Sequence, residues 1–366
     1  MKLYEPVKVK NLAFKSRIVM PPMVPFGVPG GEDTTLGENI LAYYAKRIHG
    51  PLGLVITHSF SVTSGKAMMG GYGLNKESHT PDLARLAAMC HANGTKIFAQ
   101  LGYPSKGHHR HETIAHWSRE ELQTIENEFV YSASLAKKAG CDGVEIHGAN
   151  MFFLNLFSSP ITNTRTDEYG GSLPGRLRLA SNIIKRIKAE AGDSFVVSYR
   201  MGWNADLATD IATAQALEAA GADLLHVSYG IREQDRVMPE KYAPVICYPG
   251  SSRDKLISPP AFPYNDVVYT GAEVRKNINI PMVLVDEIWT LERGEALLAA
   301  GAGDFIAFGR PFLADENFLE KAAENPAFKA CYQCAACAWF DDWVRCPKQI
   351  RLYRERGEKL TRNFVG

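Results

Sequence analysis

The chain has 366 residues, 46% of them apolar and 22% charged, which is the balance of a globular protein with a large core. Its formal net charge of +1 offers no attraction to nucleic acid or to anionic membranes, so we expect neither as a partner. No apolar run approaches the ~20 residues of a membrane-spanning helix and no secretory signal is visible, which predicts a cytoplasmic protein.

Eight apolar segments rich in β-branched residues are predicted strands, and the segments between them carry Ala and Leu at the spacing of amphipathic helices. Strands that are apolar throughout and alternate with helices are typical of a parallel sheet covered on both faces. Glycines after several of the helices can end them in the left-handed conformation. In chain order the predicted strands are 17–22, 53–59, 96–101, 143–148, 195–201, 223–229, 281–286 and 304–308, and helices are predicted at 80–93, 118–139, 175–191, 209–220, 264–277 and 290–300.

The number of alternating units predicts an α/β fold in which the sheet closes into a (β/α)8 TIM barrel. We expect the barrel over residues 1–325 and a short cysteine-rich extension over 326–366. A doubly wound open sheet is the alternative. In such a barrel, functional residues lie at the C-terminal ends of the strands. The long irregular stretch at 231–262 is expected to lie over the barrel mouth and to shape the substrate pocket.

The fourth predicted strand ends in His147-Gly-Ala-Asn150. Two hydrogen-bond donors three residues apart at a barrel mouth can bind one oxygen, polarise a carbonyl and stabilise an enolate-like charge. These two residues are therefore candidate catalytic residues. The alternative is that His147 only satisfies a neighbouring backbone group.

Three further strand ends carry candidate binding residues. A guanidinium buried at a barrel mouth needs an anionic or electron-rich partner. For Arg200 this partner is either the N1/C2=O edge of a flavin or the carboxylate of a structural ion pair. Gln100 can donate to and accept from a pyrimidine-like edge. Gly309 and Arg310 follow the eighth strand, where barrels of this type often bind a phosphate; a surface arginine is the weaker alternative for Arg310.

These residues belong to longer motifs that resemble the Old Yellow Enzyme family, and in particular the barrel domain of the 2,4-dienoyl-CoA reductase and trimethylamine dehydrogenase group. The resemblance covers residues 1 to about 325 in order, and its longest motif is highly specific. The motifs are SRIVMPPM at 16–23, AQL at 99–101, EIHGAN at 145–150, SPITNTRTDEYGGS at 159–172 and FGRP at 308–311.

The resemblance implies a barrel that binds FMN at its mouth, accepts electrons from NAD(P)H and passes them to an activated alkene. It also implies the role of each matching residue. His147 and Asn150 would bind the substrate oxygen, while the residues around the flavin would be Pro22, Met23, Val24 and Ser59 at the ring, Gln100 at its pyrimidine edge, Arg200 at its N1 side, and Gly309 with Arg310 at its phosphate.

Three of the departures from this family concern the candidate site. Phe152 replaces the tyrosine that protonates the substrate, so Tyr103, Tyr229 or water would have to supply the proton. Val24 replaces a hydrogen-bonding neighbour of the flavin, which should alter its potential. Asp286 and Glu287 stand where a glycine is expected near the phosphate, and they would repel it unless they turn away or pair with Arg310.

Four of the seven cysteines cluster near the end of the chain, at Cys331, Cys334, Cys337 and Cys346. In a cytosolic chain this clustering is typical of a metal or redox site rather than of disulfides. The related larger enzymes carry a [4Fe–4S] cluster in a comparable segment. That cluster, a structural zinc ion and free thiols remain the alternatives.

The sequence therefore predicts an FMN-dependent oxidoreductase that reduces an α,β-unsaturated carbonyl or similar small molecule, with electrons from NAD(P)H or a protein carrier. An electron-transfer flavo-iron–sulfur subunit, served by an electron-donor protein or subunit, is the first alternative. A barrel that has lost its flavin and only binds ligands is the second. Homo-oligomerisation remains open.

Overall fold

In a computed structural model, which describes residues 1–65, 68, 70–104, 114–204, 206–231, 256–334 and 337–365, eight parallel strands close into a barrel. This confirms the predicted TIM barrel over the open sheet, and each predicted strand corresponds to one barrel strand. A hairpin of β1 (Val7–Val9) and β2 (Leu12–Phe14) precedes the barrel, whose strands are β3 (Ile18–Met20), β4 (Leu54–Ser61), β5 (Lys96–Gly102), β6 (Gly143–Gly148), β7 (Val196–Trp203), β8 (Leu224–Tyr229), β9 (Met282–Leu284) and β10 (Phe305–Ala307).

Helices follow the barrel strands and cover the outside of the sheet, as the alternating pattern predicts. The glycines that follow four of them, at 94, 140, 221 and 301, all have positive φ and so end the helices as expected. The helices are α1 (Gly37–Ala45), α2 (Thr80–Ala92), α3 (Arg119–Lys138), α4 (Phe153–Ser158), α5 (Leu173–Arg176), α6 (Arg178–Ala191), α7 (Leu207–Ala219), α8 (Asp266–Arg275), α9 (Leu291–Ala299), α10 (Gly309–Ala314), α11 (Phe318–Glu324) and α12 (Pro347–Arg356).

The β1–β2 hairpin closes the N-terminal end of the barrel. Phe14 packs edge-on against Phe98 and Phe305, with ring centroids 6.1 and 5.1 Å apart, and all three side chains are buried. The hairpin was not predicted, because its two strands have three residues each and carry no long apolar pattern. With this end filled by apolar side chains, polar groups can gather only at the opposite end.

The cysteine-rich extension packs back on the barrel. Trp339 and Trp343 are buried and belong to the same apolar core as the barrel residues. The backbone N–H of Trp343 donates to the carbonyl of Phe26 at 3.2 Å, and the ring of Phe364 stacks on Trp343 with centroids 4.7 Å apart. The extension is thereby held beside the loop that follows β3.

Two further expectations from the sequence concern the loop at 231–262 and the question of membrane-spanning helices. Most of the loop predicted to cover the barrel mouth, residues 232–255, lies outside the described residues. Among the residues that are described, no helix has the length and apolar character needed to cross a lipid bilayer.

Gly148, at the end of β6, allows β6 and β7 to approach closely next to the candidate catalytic histidine. A Cβ atom at this position would lie 2.0 Å from Oη and 2.3 Å from Cζ of the buried Tyr199. We therefore expect Gly148→Ala to lower the free energy of unfolding by ~1–3 kcal/mol, the usual cost of overpacking, as measured by chemical denaturation. In a Tyr199→Leu background the same substitution should cost much less, and an equal cost in both backgrounds would contradict this packing.

Candidate active site

A cavity of about 220 Å³ lies at the C-terminal ends of the barrel strands, where the fold class predicts the site. Every residue that the sequence indicates as catalytic or flavin-binding lines it. Its wall contains His147 and Asn150 together with Pro22, Met23, Val24, Ser59, Gln100, Arg200, Asp286, Glu287, Gly309 and Arg310. The structure thus brings together residues from seven separate strand ends.

A buried carboxylate lies beneath the floor of the cavity. Glu145 accepts hydrogen bonds from Gln100 Nε2 at 2.8 Å and from His226 Nδ1 at 2.9 Å. Burial alone would raise the pKa of Glu145, but His226, Arg200 and the Gln100 hydrogen bond together lower that pKa below its ordinary value. Because an ionised carboxylate only accepts, Gln100 must direct its NH2 group to Glu145, which leaves its amide oxygen for a ligand in the cavity.

Neither Glu145 nor His226 was among the predicted functional residues. A signal was present, because both are charged or titratable residues inside predicted strands that are otherwise apolar. Both side chains are fully buried, and such groups occur in barrel interiors only where partners satisfy them.

His147 is 4% exposed and lines the cavity as a neutral imidazole. Burial holds the pKa of His147 well below its ordinary value, and the positive charge of Arg200 lowers it further. Its Nδ1 atom is buried and has no hydrogen-bond partner in the described part of the chain. A neutral imidazole offers one N–H donor, which suits the polarisation of a carbonyl oxygen.

A chain of hydrogen bonds orients the second donor. Arg200 Nη2 donates to Ser228 Oγ at 2.9 Å, and Ser228 Oγ donates to Asn150 Oδ1 at 3.2 Å. The amide oxygen of Asn150 is thereby engaged, and its NH2 group is left as a donor. Asn150 has a φ of 56°, a left-handed conformation that asparagine tolerates better than most residues.

The opposite end of the cavity carries the two unexpected carboxylates. Glu287 Oε1 lies 3.6 Å from Arg310 Nη2, and the Arg310 guanidinium lies 4.1 Å above the ring of Trp289. Asp286 accepts a hydrogen bond from Asn265 Nδ2 at 3.0 Å. Burial raises the pKa of Asp286 to about 6, although Arg310 counteracts part of this effect. Of the two arrangements considered from the sequence, pairing with Arg310 is found for Glu287, whereas the hydrogen-bond partner of Asp286 is Asn265.

The two tyrosines considered as replacements for the family's proton donor lie in different places. Tyr229 lines the cavity and is the only tyrosine among the described residues to do so. Tyr103 borders a separate cavity beside Trp117. Phe152 lines the cavity with its ring 4.6 Å from that of His147.

The cysteine extension reaches the same cavity through Cys337 and Phe340. Burial raises the pKa of the Cys331 thiol to about 11, and it also raises the pKa values of Cys337 and Cys346. These thiols and Cys334 are close enough to influence one another electrostatically. Within the described ranges, however, no three Cys, His, Asp or Glu side chains are grouped closely enough to hold a metal ion. The predicted cluster or zinc site therefore stays a prediction.

Comparison with curated proteins identifies relatives of two lengths. The chain is 31% identical over 362 residues to an NADH oxidase of Thermoanaerobacter brockii (91% of this chain, 52% of the relative) and 29% identical over 381 residues to a cinnamate reductase of Clostridium sporogenes (91% and 54%). It thus spans about half the length of these relatives. It is also 32% identical over 342 residues to an NADPH dehydrogenase of Halalkalibacterium halodurans, covering 88% of this chain and 94% of that protein.

Solved structures support the same fold. A 2-naphthoyl-CoA reductase in complex with 2-naphthoyl-CoA matches with a TM-score of 0.78 and 23% identity, over 95% of this chain and 57% of that one. An Old Yellow Enzyme homologue from Zymomonas mobilis matches with a TM-score of 0.70 and 23% identity, over 94% and 99%. The sequence profile of one family matches residues 2–116 and 102–327, which is most of the barrel. The chain belongs to the NADH:flavin oxidoreductase / NADH oxidase family.

Proposed function

We propose that the chain is an FMN-dependent oxidoreductase that reduces an activated alkene, such as an α,β-unsaturated carbonyl, with electrons from NAD(P)H or a protein carrier. One observation carries this proposal: two potential donors, His147 and Asn150, share a single cavity with Gln100 and Arg200. The similarity to a cinnamate reductase, whose name denotes a conjugated acid, supports an activated alkene as substrate.

The ring of the flavin would lie against Gln100, Arg200 and Ser59 in this cavity. The free amide oxygen of Gln100 can accept from an imide N–H, and Arg200 can stabilise negative charge on a pyrimidine edge. Ser59 Oγ, which is buried without a hydrogen-bond partner in the described residues, is a further polar group on this wall. When bound, FMN would supply two-electron chemistry, by accepting a hydride from a nicotinamide and delivering one to the alkene.

The donors would act on the substrate carbonyl. His147 and the NH2 group of Asn150 can both donate to its oxygen and stabilise the negative charge that develops there as the alkene is reduced. Because His147 is neutral, it would polarise the carbonyl without transferring a proton. Arg200 would hold Asn150 in position through Ser228.

Replacement of His147 with Ala tests this role. Loss of one such donor typically lowers kcat by ~100-fold or more, so we expect that loss in the anaerobic reduction of cyclohexenone by the flavin-loaded protein. Binding of a phenol, followed by its charge-transfer absorbance with the flavin, should weaken in parallel. His116→Ala, at an exposed position away from the cavity, is the control. Unchanged phenol binding in His147→Ala would refute the assignment.

Tyr229 is our candidate for the proton donor that Phe152 cannot be. It lines the cavity, and its backbone carbonyl accepts a hydrogen bond from the N–H of Asn150 at 2.6 Å, which ties it to the oxyanion donors. A positioned general acid typically contributes ~100- to 10,000-fold to the rate.

We therefore expect Tyr229→Phe to slow alkene reduction by at least ~100-fold while leaving reduction of the flavin by NAD(P)H intact, as measured by stopped-flow absorbance of each half-reaction. Tyr103→Phe serves as the control, because Tyr103 borders a different cavity. Equal loss in both half-reactions would indicate a structural role for Tyr229, and no loss would leave water as the donor.

A second candidate function, electron transfer through an iron–sulfur cluster with little alkene reduction, is favoured by the position of the extension. Cys337 lies in the wall of the proposed flavin cavity, and Arg310 influences both Cys331 and Cys337 electrostatically. A [4Fe–4S] cluster held by Cys331, Cys334, Cys337 and Cys346 would supply single electrons beside the flavin.

Metal analysis of anaerobically purified protein tests this second function. We expect ~4 iron atoms per chain and loss of that iron in Cys337→Ser, but not in a control variant, Cys90→Ala, which replaces a buried thiol of α2. Stoichiometric zinc would indicate a structural metal site instead, and absence of both metals would leave free thiols.

A further inference from the structure

The loops after β9 and β10 place two carboxyl groups and one guanidinium group at one end of the cavity. Arg310 is paired with Glu287 at 3.6 Å, and the carboxyl group of Asp286 lies within electrostatic reach of both Arg310 and Arg200. These two loops therefore carry no unmatched positive charge. In barrels of this class, the same two loops frequently form a phosphate site, in which unmatched positive charge is needed.

The carboxylates are held there by the backbone. Asp286 and Glu287 are consecutive residues with φ values of 93° and 52°, a conformation that glycine adopts without strain and that a glutamate rarely adopts. Asn265 caps α8 by accepting from the N–H of Val268 at 3.1 Å, and this fixes its NH2 group on Asp286. Backbone strain retained in the wall of a ligand cavity points to a functional role for these side chains.

We propose that Asp286 and Glu287 adapt this cavity to a flavin with an uncharged ribityl tail, so that the chain binds riboflavin at least as tightly as FMN. The inference rests on the proposed function, since it concerns the same cavity, and it specifies the class of flavin that the site accepts.

The chemistry of the tail explains the preference. A phosphate dianion only accepts hydrogen bonds, as ionised carboxylates do, so it can form none with Asp286 or Glu287 and would have to displace Glu287 from Arg310. The terminal hydroxyl of riboflavin can donate to either carboxylate and leaves the Glu287–Arg310 pair in place. The Arg310 guanidinium is further held by the ring of Trp289, which opposes its movement toward a phosphate.

Titration of the flavin-free full chain with riboflavin and with FMN, followed by quenching of flavin fluorescence, tests the inference. We expect the ratio of Kd for FMN to Kd for riboflavin to be 1 or greater in the wild-type protein. In the isosteric double variant Asp286→Asn/Glu287→Gln, that ratio should fall by at least ~tenfold, which corresponds to about one charged hydrogen bond. Glu292→Gln, which removes an exposed carboxylate from the adjacent first turn of α9, should leave the ratio unchanged.

The possible outcomes separate this inference from the proposed function. A wild-type ratio below 1, that is, FMN bound more tightly than riboflavin, would overturn the inference and leave the proposed function standing. A ratio that is the same in the wild type and the double variant would also overturn it. Binding of neither flavin would overturn the proposed function and the inference with it. The wild-type ratio is decisive even if the double variant does not fold.

Discussion

The site depends on one ionised carboxylate in the middle of the barrel. Glu145 is fully buried, and its charge is compatible with that position only because His226, Gln100 and Arg200 surround it. The dependence is mutual, because each of these neighbours is oriented or stabilised by the carboxylate. Gln100 acquires a fixed amide orientation, and Arg200 is held at the cavity floor, from which it orients Asn150 through Ser228.

Apolar side chains close the N-terminal end of the barrel, and the polar network around Glu145 therefore faces the C-terminal end. Parallel strands place all their C-terminal ends at one edge, and the β1–β2 hairpin fills the opposite edge with side chains such as Phe14. The buried network therefore opens only toward the C-terminal cavity, with His147 and Asn150 on one wall and Asp286 and Glu287 on another. The hydrogen-bond donors that suit a carbonyl oxygen, His147 and Asn150, are thus separated within a single cavity from the acceptors that suit a hydroxyl group, Asp286 and Glu287.

The strands and the cavity lining could be predicted from the sequence because each depends on local patterns. Apolar runs indicate parallel strands, and polar residues at the ends of those runs must meet at the barrel mouth. The pairing of Glu287 with Arg310 could be anticipated only as one of two arrangements, since it depends on side-chain rotamers. Glu145 and His226 were missed because these two hydrogen-bond partners lie 81 residues apart in the sequence and meet only in the closed barrel.

The buried network also accounts for which residues match the Old Yellow Enzyme pattern and which do not. Gln100, His147, Asn150 and Arg200 match. Hydrogen bonds link Gln100 to Glu145, and Arg200 through Ser228 to Asn150, so that a change in one of these residues leaves a buried polar group of another without its partner. Asp286 and Glu287 depart from the pattern, and Asp286 lies within electrostatic reach of Arg200. Val24 and Phe152 also depart from it and line the cavity, and within the described ranges neither is linked to Glu145 by a side-chain hydrogen bond. Substitution at such positions changes what the cavity binds at little cost to the barrel beneath it. The network thus preserves the floor of the site, while the walls are free to acquire a different specificity.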